Sequence, residues 1–319
     1  MKRKLLITVQ INTSLLEKIK SSLPNWEIVM TKKPDEWDIH LKDAEIVICW
    51  RSDFKLETIS RNKNLKWIQT WSAGVNTLPL TELSKENIDI TSANGVHSYP
   101  ISETIFALML GLTRNIHTYV RNQSIKKWDA TDLKLEIHKK TIGIIGVGAI
   151  GKETAKIAKA FDMHVIGVRH SGKKESYVDE MYTSAQLNQV LPLCDYVVVT
   201  LPLTNDTYHL FTKEQFRLMK QSSFFINIGR GEIVKEDDLI DALENGELLG
   251  AGLDVFETEP LQQSSKLWEL DNVILTPHTS GSTEHYNSRV IEDIFLPNLK
   301  HYLNGEELPI NLVDYKKGY

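Results

Sequence analysis

The chain has 319 residues, of which 41% are apolar and 25% charged, a balance that excludes a disordered chain or a fibrous repeat. At ~100–200 residues per domain, this length predicts about two domains. The 37 Lys and Arg residues against 42 Asp and Glu residues give a formal charge of −5. No basic field is therefore available to hold nucleic acid or an anionic membrane, and we expect small molecules or other proteins as partners.

The two cysteines, Cys49 and Cys194, lie in the apolar runs EIVICW and LPLCDYVVV. Such positions favour buried structural thiols in a reducing compartment over ligands or nucleophiles. No apolar run approaches the ~18 residues of a transmembrane helix, and the N-terminal apolar run is broken by polar residues with no cleavage site after it. We expect a cytoplasmic protein.

Short apolar runs alternate with polar, helix-like stretches from residue 1 to about 97: KLLITV, WEIVM, AEIVICW, LKWIQTW and IDITS. This alternation predicts βα units and a parallel sheet. The next segment, SYPISETIFALMLGLTRNIHTYV, predicts one long helix with Pro100 in its first turn, and it could form a domain boundary.

The alternation restarts at Thr141, where TIGIIGV, HVIGV, YVVVT, SFFINIG, LLGAGLDV and NVILTPH predict strands and AIGKETAKIAKAF predicts a helix. Continuous apolar strands indicate a sheet that is covered on both faces. A last helical stretch after Thr283 ends at Asn304-Gly305, a favourable helix stop. The restart predicts two doubly wound α/β domains, one inserted in the other.

A GxGxxG motif, formed by Gly146, Gly148 and Gly151, follows the strand TIGI and opens the helix AIGKETAKIA. The first glycine permits a tight turn, the second lets backbone N–H groups approach a pyrophosphate, and the third lets the helix pack closely. Because strand, spacing and helix agree, the motif predicts dinucleotide binding rather than an empty glycine-rich turn.

The strand HVIGV should end near an acidic residue if NAD is held through its ribose 2′-OH. The sequence instead places Arg169, Ser171, Lys173 and Lys174 there, a set suited to a 2′-phosphate. A solvated basic turn is the alternative. We expect NADP(H) to be favoured over NAD(H).

Three further strand ends carry Arg230, Asp254 with Glu259, and His278. Arginine can bind a carboxylate in a bidentate manner, histidine can donate a proton, and a carboxylate behind it can orient the imidazole. Taken singly, each residue has a structural explanation: a surface ion pair, a turn acid, a strand-end histidine. Spacing alone leaves both interpretations open.

The segments IGVGAIG, LPLTNDTYHLF, INIGRGEIVKEDDL, GLDVFETEPL and LWELDNVILTPHTSGST occur in the order and spacing of the D-isomer-specific 2-hydroxyacid dehydrogenases. The chain resembles that family over nearly its whole length, including SAGVN near residue 74, and most closely its glyoxylate/hydroxypyruvate-reductase-like branch. The resemblance implies that Arg230 binds the substrate carboxylate and carbonyl, that His278 is the acid/base with Glu259 as partner, and that the amides of Gly74 and Val75 receive the carboxylate.

The resemblance also implies a homodimer, and Asp254 would face the nicotinamide carboxamide. The set of expected cofactor contacts comprises Gly146, Gly148, Ala149, Ile150, Gly151, Arg169, Ser171, Pro202, Thr207, Ile228, Arg230, Asp254 and His278. The remaining histidines show no metal-ligand spacing, so we predict no metal. Trp50, Trp71, Tyr99 and Tyr286 could line a pocket but are interpreted as core residues.

We therefore expect a Rossmann nucleotide-binding domain, residues 98–283, inserted in a flavodoxin-like substrate domain of residues 1–97 and 284–319. The predicted activity is hydride transfer between NADP(H) and a small 2-oxoacid or D-2-hydroxyacid such as glyoxylate or hydroxypyruvate. The alternative is a catalytically weak, nucleotide-sensing scaffold of the corepressor type, because one fold can serve both functions.

Overall fold

The computed structural model describes residues 2–50, 52, 62–75, 78–130 and 135–315. The chain divides into two units: Met1–Val96 together with Thr283–Tyr319, and His97–Ser282. Both junctions fall one residue before the positions expected from the sequence. His97 is the first residue of the second unit, and its Nδ1 is hydrogen-bonded to the carbonyl of Gly281 in the same unit, 2.8 Å away.

The first unit contains a five-stranded sheet in the order β2-β1-β3-β4-β5, the flavodoxin-like arrangement, with every pair parallel. Its elements up to the junction are β1 (Lys4–Ile7), α1 (Thr13–Ser22), β2 (Glu27–Met30), α2 (Pro34–Leu41), β3 (Ile46–Cys49), β4 (Trp67–Thr70), α3 (Leu80–Lys85) and β5 (Asp89–Thr91).

The second unit contains a seven-stranded parallel sheet in the order β12-β11-β10-β9-β6-β7-β8, which is the Rossmann order extended by one strand. It begins with the helices α4 (Ser98–Thr113) and α5 (Ile116–Ser124). The elements that follow are β6 (Thr141–Ile145), α6 (Ala149–Ala160), β7 (His164–Val168), β8 (Glu180–Tyr182), α7 (Leu187–Val190), β9 (Tyr196–Val199), α8 (Lys213–Leu218), β10 (Phe224–Asn227), α9 (Glu236–Glu244), β11 (Gly250–Leu253) and β12 (Val273–Leu275).

Each sheet is apolar on both faces, as the continuous apolar runs predicted. In β1, Leu5 and Ile7 belong to one core cluster and Leu6 to the other. In β9, Val197 and Val199 face one cluster and Val198 the other. Because successive side chains of a strand point to opposite faces, these strands are continuously apolar rather than alternating.

The prediction of one long helix after residue 98 is wrong. The helix stops at Thr113, and Asn115, with a φ of 54°, separates α4 from α5. Asparagine tolerates this left-handed conformation better than most residues, so the chain can change direction without a glycine.

The last helical stretch lies in the first unit and is not uniformly α-helical. It consists of α10 (Tyr286–Ser288), a π-helical segment (Arg289–Phe295) and α11 (Leu296–Leu303). Pro297 is the second residue of α11, and its ring nitrogen carries no hydrogen to donate to the preceding turn. Among the described residues, no helix is both long and apolar enough to cross a membrane.

Both cysteines are buried thiols, and burial raises the pKa of the Cys194 thiol to about 12. Because the thiolate is the reactive form, we expect neither thiol to react with an aromatic disulfide reagent such as DTNB in the native protein at pH 8. Both thiols should react in denaturant. Rapid modification of a thiol in the folded protein would contradict this assignment.

Candidate active site

The glycine-rich turn lies between β6 and α6, where the sequence motif predicted it. Gly146 has a φ of 111°, a conformation that residues with a side chain rarely adopt, and its N–H donates to the carbonyl of Val168 at 2.9 Å. Around Gly148, nothing lies within 4 Å of the position that a Cβ would take. No side chain caps α6 at Gly148, so the turn is a cradle whose helical N–H groups suit a pyrophosphate.

The other expected cofactor contacts differ in their burial and in their hydrogen bonds. Ala149 and Ile150 occupy the first turn of α6 and are partly buried. Thr207 donates its hydroxyl to the carbonyl of Pro202 at 2.8 Å, so these two residues brace each other in the loop after β9. Ile228 is buried in the core, and only its backbone is available to a ligand.

Arg169 follows β7 directly, and the loop 170–175 folds around its guanidinium. Nη2 donates to the carbonyls of Lys173 and Lys174 at 2.5 and 3.4 Å, and Nη1 donates to the carbonyl of Val147 at 3.4 Å. Nη1 also lies 3.3 Å from a carboxylate oxygen of Glu175. Nε is buried and has no partner among the described residues. Ser171 is exposed and accepts the N–H of Lys173 at 3.4 Å.

Arg230 lies on the turn after β10, and that turn is held from both sides. The buried side chain of Asn227 accepts the N–H of Gly229 at 3.0 Å and donates to the carbonyl of Arg230 at 3.1 Å. A side chain on Gly231 would overlap the backbone of Phe256. Arg230 is exposed, Nη1 of its guanidinium donates to the carbonyl of Gly229 at 2.7 Å, and no described residue forms an ion pair with it. It is therefore available to an anionic ligand.

The loop after β12 is organised by the carboxylate of Asp254, a residue that is 0% exposed. This carboxylate accepts the hydroxyl of Thr276 at 2.6 Å, the N–H of Thr279 at 3.0 Å and the N–H of Ser280 at 3.1 Å. His278, between them, has a φ of 53° and donates its N–H to the carbonyl of Asp254 at 2.8 Å. Donors of its own loop already occupy the carboxylate of Asp254. The contact of this residue with the nicotinamide stays a prediction.

His278 and Glu259 are in direct contact. Nδ1 of His278 lies 2.7 Å from Oε2 of Glu259, and the other carboxylate oxygen accepts the N–H of Phe256 at 3.1 Å. Because a carboxylate only accepts hydrogen bonds, Nδ1 carries the hydrogen and Nε2 is left as the site that exchanges a proton. The contact with Glu259 thus orients the imidazole, and the role of His278 as acid/base stays a prediction.

The remaining predicted residues belong to the first unit. Gly74 and Val75 follow β4, Gly74 is exposed, and neither amide has a hydrogen-bond acceptor among the described residues. Of the aromatic residues set aside in the sequence, Trp50 stacks on Tyr286 at 6.5 Å and Trp71 meets the same ring edge-on at 5.9 Å. Trp71 is buried in a core cluster and Tyr286 packs against that cluster, so the interpretation as core is confirmed for these two, whereas it is wrong for Trp50 and Tyr99, which are exposed.

Sequence reasoning missed two charged residues beside Arg169. Glu175 accepts from Arg169, and Lys152, in the first turn of α6, lies 2.8 Å from the same carboxylate oxygen. The signal was present in the run RHSGKKE, where an acid follows the arginine by six positions. In the described parts of the chain, no three His, Cys, Asp or Glu residues gather in a way that could hold a metal ion.

We expect Asp254→Asn to lower the free energy of unfolding by about 1–3 kcal/mol, since its amide group would face the N–H donors of Thr279 and Ser280. Urea unfolding would measure this change. Asp241→Asn, at an exposed position of α9, is the matched control and should leave the free energy within about 0.5 kcal/mol. Equal stability of the two variants would contradict the organising role of Asp254.

Residues 106–280 match the profile of the D-isomer specific 2-hydroxyacid dehydrogenase NAD binding domain, which is more than half of the chain. A glyoxylate reductase of Pyrococcus horikoshii is 34% identical over 86% of this chain and 84% of its own length. A probable 2-ketogluconate reductase of Dictyostelium discoideum is 33% identical over 93% of this chain and 91% of its own length.

A solved structure shows the same fold. The NADPH-dependent glyoxylate/hydroxypyruvate reductase of Sinorhizobium meliloti, in complex with NADP and sulfate, superposes with a TM-score of 0.78 at 27% identity, covering 100% of both chains. Together with the matched profile and the curated relatives, this likeness identifies the enzyme class. The chain is a member of the D-isomer-specific 2-hydroxyacid dehydrogenase family.

Proposed function

We propose that the protein is a cytoplasmic, NADP(H)-preferring reductase of small 2-oxoacids such as glyoxylate and hydroxypyruvate, with D-2-hydroxyacids as products. The observation that carries the proposal is the 2.7 Å contact between His278 and Glu259, on the same unit as an exposed Arg230. The names of the glyoxylate reductase relatives support the substrate class.

Arg230 binds the substrate in this proposal. Its guanidinium offers a planar pair of N–H donors, which matches a carboxylate or the adjacent carbonyl in a way that a lysine cannot. The turn is braced by Asn227 and packed against Phe256, so the arginine acts from a fixed backbone. The amides of Gly74 and Val75 remain the proposed partners of the substrate carboxylate.

His278 is the proposed acid. Glu259 orients its ring through Nδ1, so that Nε2 donates a proton to the carbonyl oxygen as negative charge develops there. A reduced nicotinamide, when bound, supplies the hydride to the carbonyl carbon. In the oxidative direction the same nitrogen accepts the proton of the hydroxyl group. The loop bonds to Asp254 hold His278 in its left-handed conformation throughout.

The residues of the second unit fit a dinucleotide. The open space at Gly148 and the uncapped start of α6 suit the pyrophosphate, and Arg169 stands at the end of β7, where the adenosine ribose is bound in this fold. The exposed Lys173 and Lys174 add positive charge there. These features support NADP(H) over NAD(H).

A homodimer is part of the proposal, supported by an apolar face around α5. Helix α5 has no buried residue, and Ile116, Val120 and Ile125 are each more than half exposed on or beside it. Trp128, a few residues further, is 95% exposed. Several large apolar side chains exposed on one segment form a candidate interface, which a second copy would cover.

The central test is oxidation of NADPH and NADH in the presence of glyoxylate, hydroxypyruvate, pyruvate and bulkier 2-oxoacids. We expect turnover with the small substrates and a lower KM for NADPH. No oxidation of either cofactor with any of these acids would contradict the proposal and would favour a nucleotide-sensing scaffold.

Arg230→Lys should lower kcat/KM for the 2-oxoacid by roughly ten- to more than a hundredfold, the range that corresponds to one charge-assisted hydrogen bond. A point charge cannot reproduce the bidentate contact. Arg217→Lys, at an exposed position of α8, is the matched control and should behave as the unaltered enzyme. Unchanged kinetics of Arg230→Lys would remove Arg230 from the substrate site.

The double variant Val120→Ser/Trp128→Ser should shift the protein from dimer to monomer in sedimentation equilibrium, because it removes two large apolar side chains from the proposed interface. Leu218→Ser, which alters a partly exposed apolar residue of α8, should remain dimeric. A monomeric unaltered protein, or a double variant that stays dimeric, would refute this interface.

A further inference from the structure

Glu175 lies between two cations, Lys152 and Arg169, near the end of β7. Its Oε2 lies 2.8 Å from Nζ of Lys152 and 3.3 Å from Nη1 of Arg169. The side chains of Arg169 and Glu175 are each only 19% exposed, so water screens this contact less than it screens a surface ion pair. The hydrogen bond from Lys152 holds the pKa of Glu175 below its usual value, and the carboxylate is ionised at neutral pH.

The position of this carboxylate relates directly to the glycine-rich turn. Arg169 also donates to the carbonyl of Val147, within the turn, and Lys152 stands in the first turn of α6. If the dinucleotide lies along this turn as proposed above, its adenosine ribose falls at the end of β7. A 2′-phosphate would then meet the two cations that Glu175 already pairs.

We propose that Glu175 is a specificity-determining residue that acts as an internal competitor of the cofactor 2′-phosphate. The preference for NADP(H) is then weaker than the nearby positive charges, those of Lys152, Arg169, Lys173 and Lys174, would produce without it. This inference rests on the proposed function. The dianionic phosphate must displace the carboxylate from Arg169 and Lys152 or bind beside it against like-charge repulsion. The free ribose of NAD(H) carries no charge and is not opposed.

Arg169 does not need Glu175 to keep its place. Nη2 is held by the carbonyls of Lys173 and Lys174, and Nη1 has a second acceptor in Val147. Removing the carboxylate therefore leaves a positioned guanidinium whose Nη1 has lost one of its two acceptors and can donate to a new anion. For this reason the structure favours competition over a merely supporting role for Glu175.

The test is equilibrium binding of NADP⁺, NAD⁺ and 2′-AMP to the full chain by isothermal titration calorimetry, with Glu175→Gln compared with the unaltered protein. Glutamine keeps the size of the side chain and removes its charge. We expect the Kd for NADP⁺ and for 2′-AMP to fall at least tenfold, and the Kd for NAD⁺ to change less than threefold. Glu244→Gln is the matched control: it removes a carboxylate at the end of α9 that is paired with Lys266, and it should change none of the three constants.

Other binding results would contradict either the role of Glu175 or the proposed function. Unchanged or weaker NADP⁺ binding in Glu175→Gln would show that the carboxylate supports Arg169 rather than competing with the phosphate. Weaker NAD⁺ binding alone would show that Glu175 accepts the ribose hydroxyl, which also refutes the inference. If the unaltered protein binds neither dinucleotide, the proposed function itself fails, and this result is distinct from binding with an unchanged ratio.

Discussion

The site depends on one buried carboxylate, that of Asp254. A carboxylate with 0% exposure is costly unless its oxygens are hydrogen-bonded, and here the loop after β12 supplies the donors. The buried carboxylate therefore constrains the loop, because the hydroxyl of Thr276 and the N–H groups of Thr279 and Ser280 must all point towards it. His278 lies between them in a left-handed conformation, which unconstrained histidine rarely adopts. The proposed acid is therefore positioned by the backbone before any ligand arrives.

The parallel sheet explains why residues distant in sequence can share a task. The carboxyl ends of β10, β11 and β12 lie at one edge, and Arg230, Asp254 and His278 follow these strands. Contacts between the loops then fix the positions of the side chains. Gly231 permits close approach to Phe256, and the N–H of Phe256 donates to Glu259. Glu259 in turn contacts His278. Topology brings the loops to the same edge, and these few polar contacts set the geometry.

Apolar periodicity predicted the sheets well because burial on both faces leaves a clear pattern, as in TIGII and YVVV. It failed where a single polar residue decides the backbone: Asn115 breaks a helix that apolar spacing alone would continue. The site shows the same limit. Glycine spacing revealed the turn, but the pairing of Arg169 with Glu175 depends on how the loop 170–175 folds back, and no spacing rule encodes that fold. The short β8 was missed for a similar reason, since three half-exposed residues carry little pattern.

Two arginines at the edge of the same sheet illustrate how neighbours decide what a charge can do. Arg230 is exposed, donates from Nη1 to the carbonyl of Gly229, and has no carboxylate partner among the described residues, so no other anion competes for its charge. Arg169 is mostly buried, shares its charge with Glu175 and gives most of its donors to backbone carbonyls. A guanidinium of the first kind gains from any carboxylate that reaches it, whereas one of the second kind gains only the difference between a new anion and the one it already has. Residue type alone therefore predicts an anion site at both arginines, and the surrounding contacts determine how much free energy an incoming anion would gain at each.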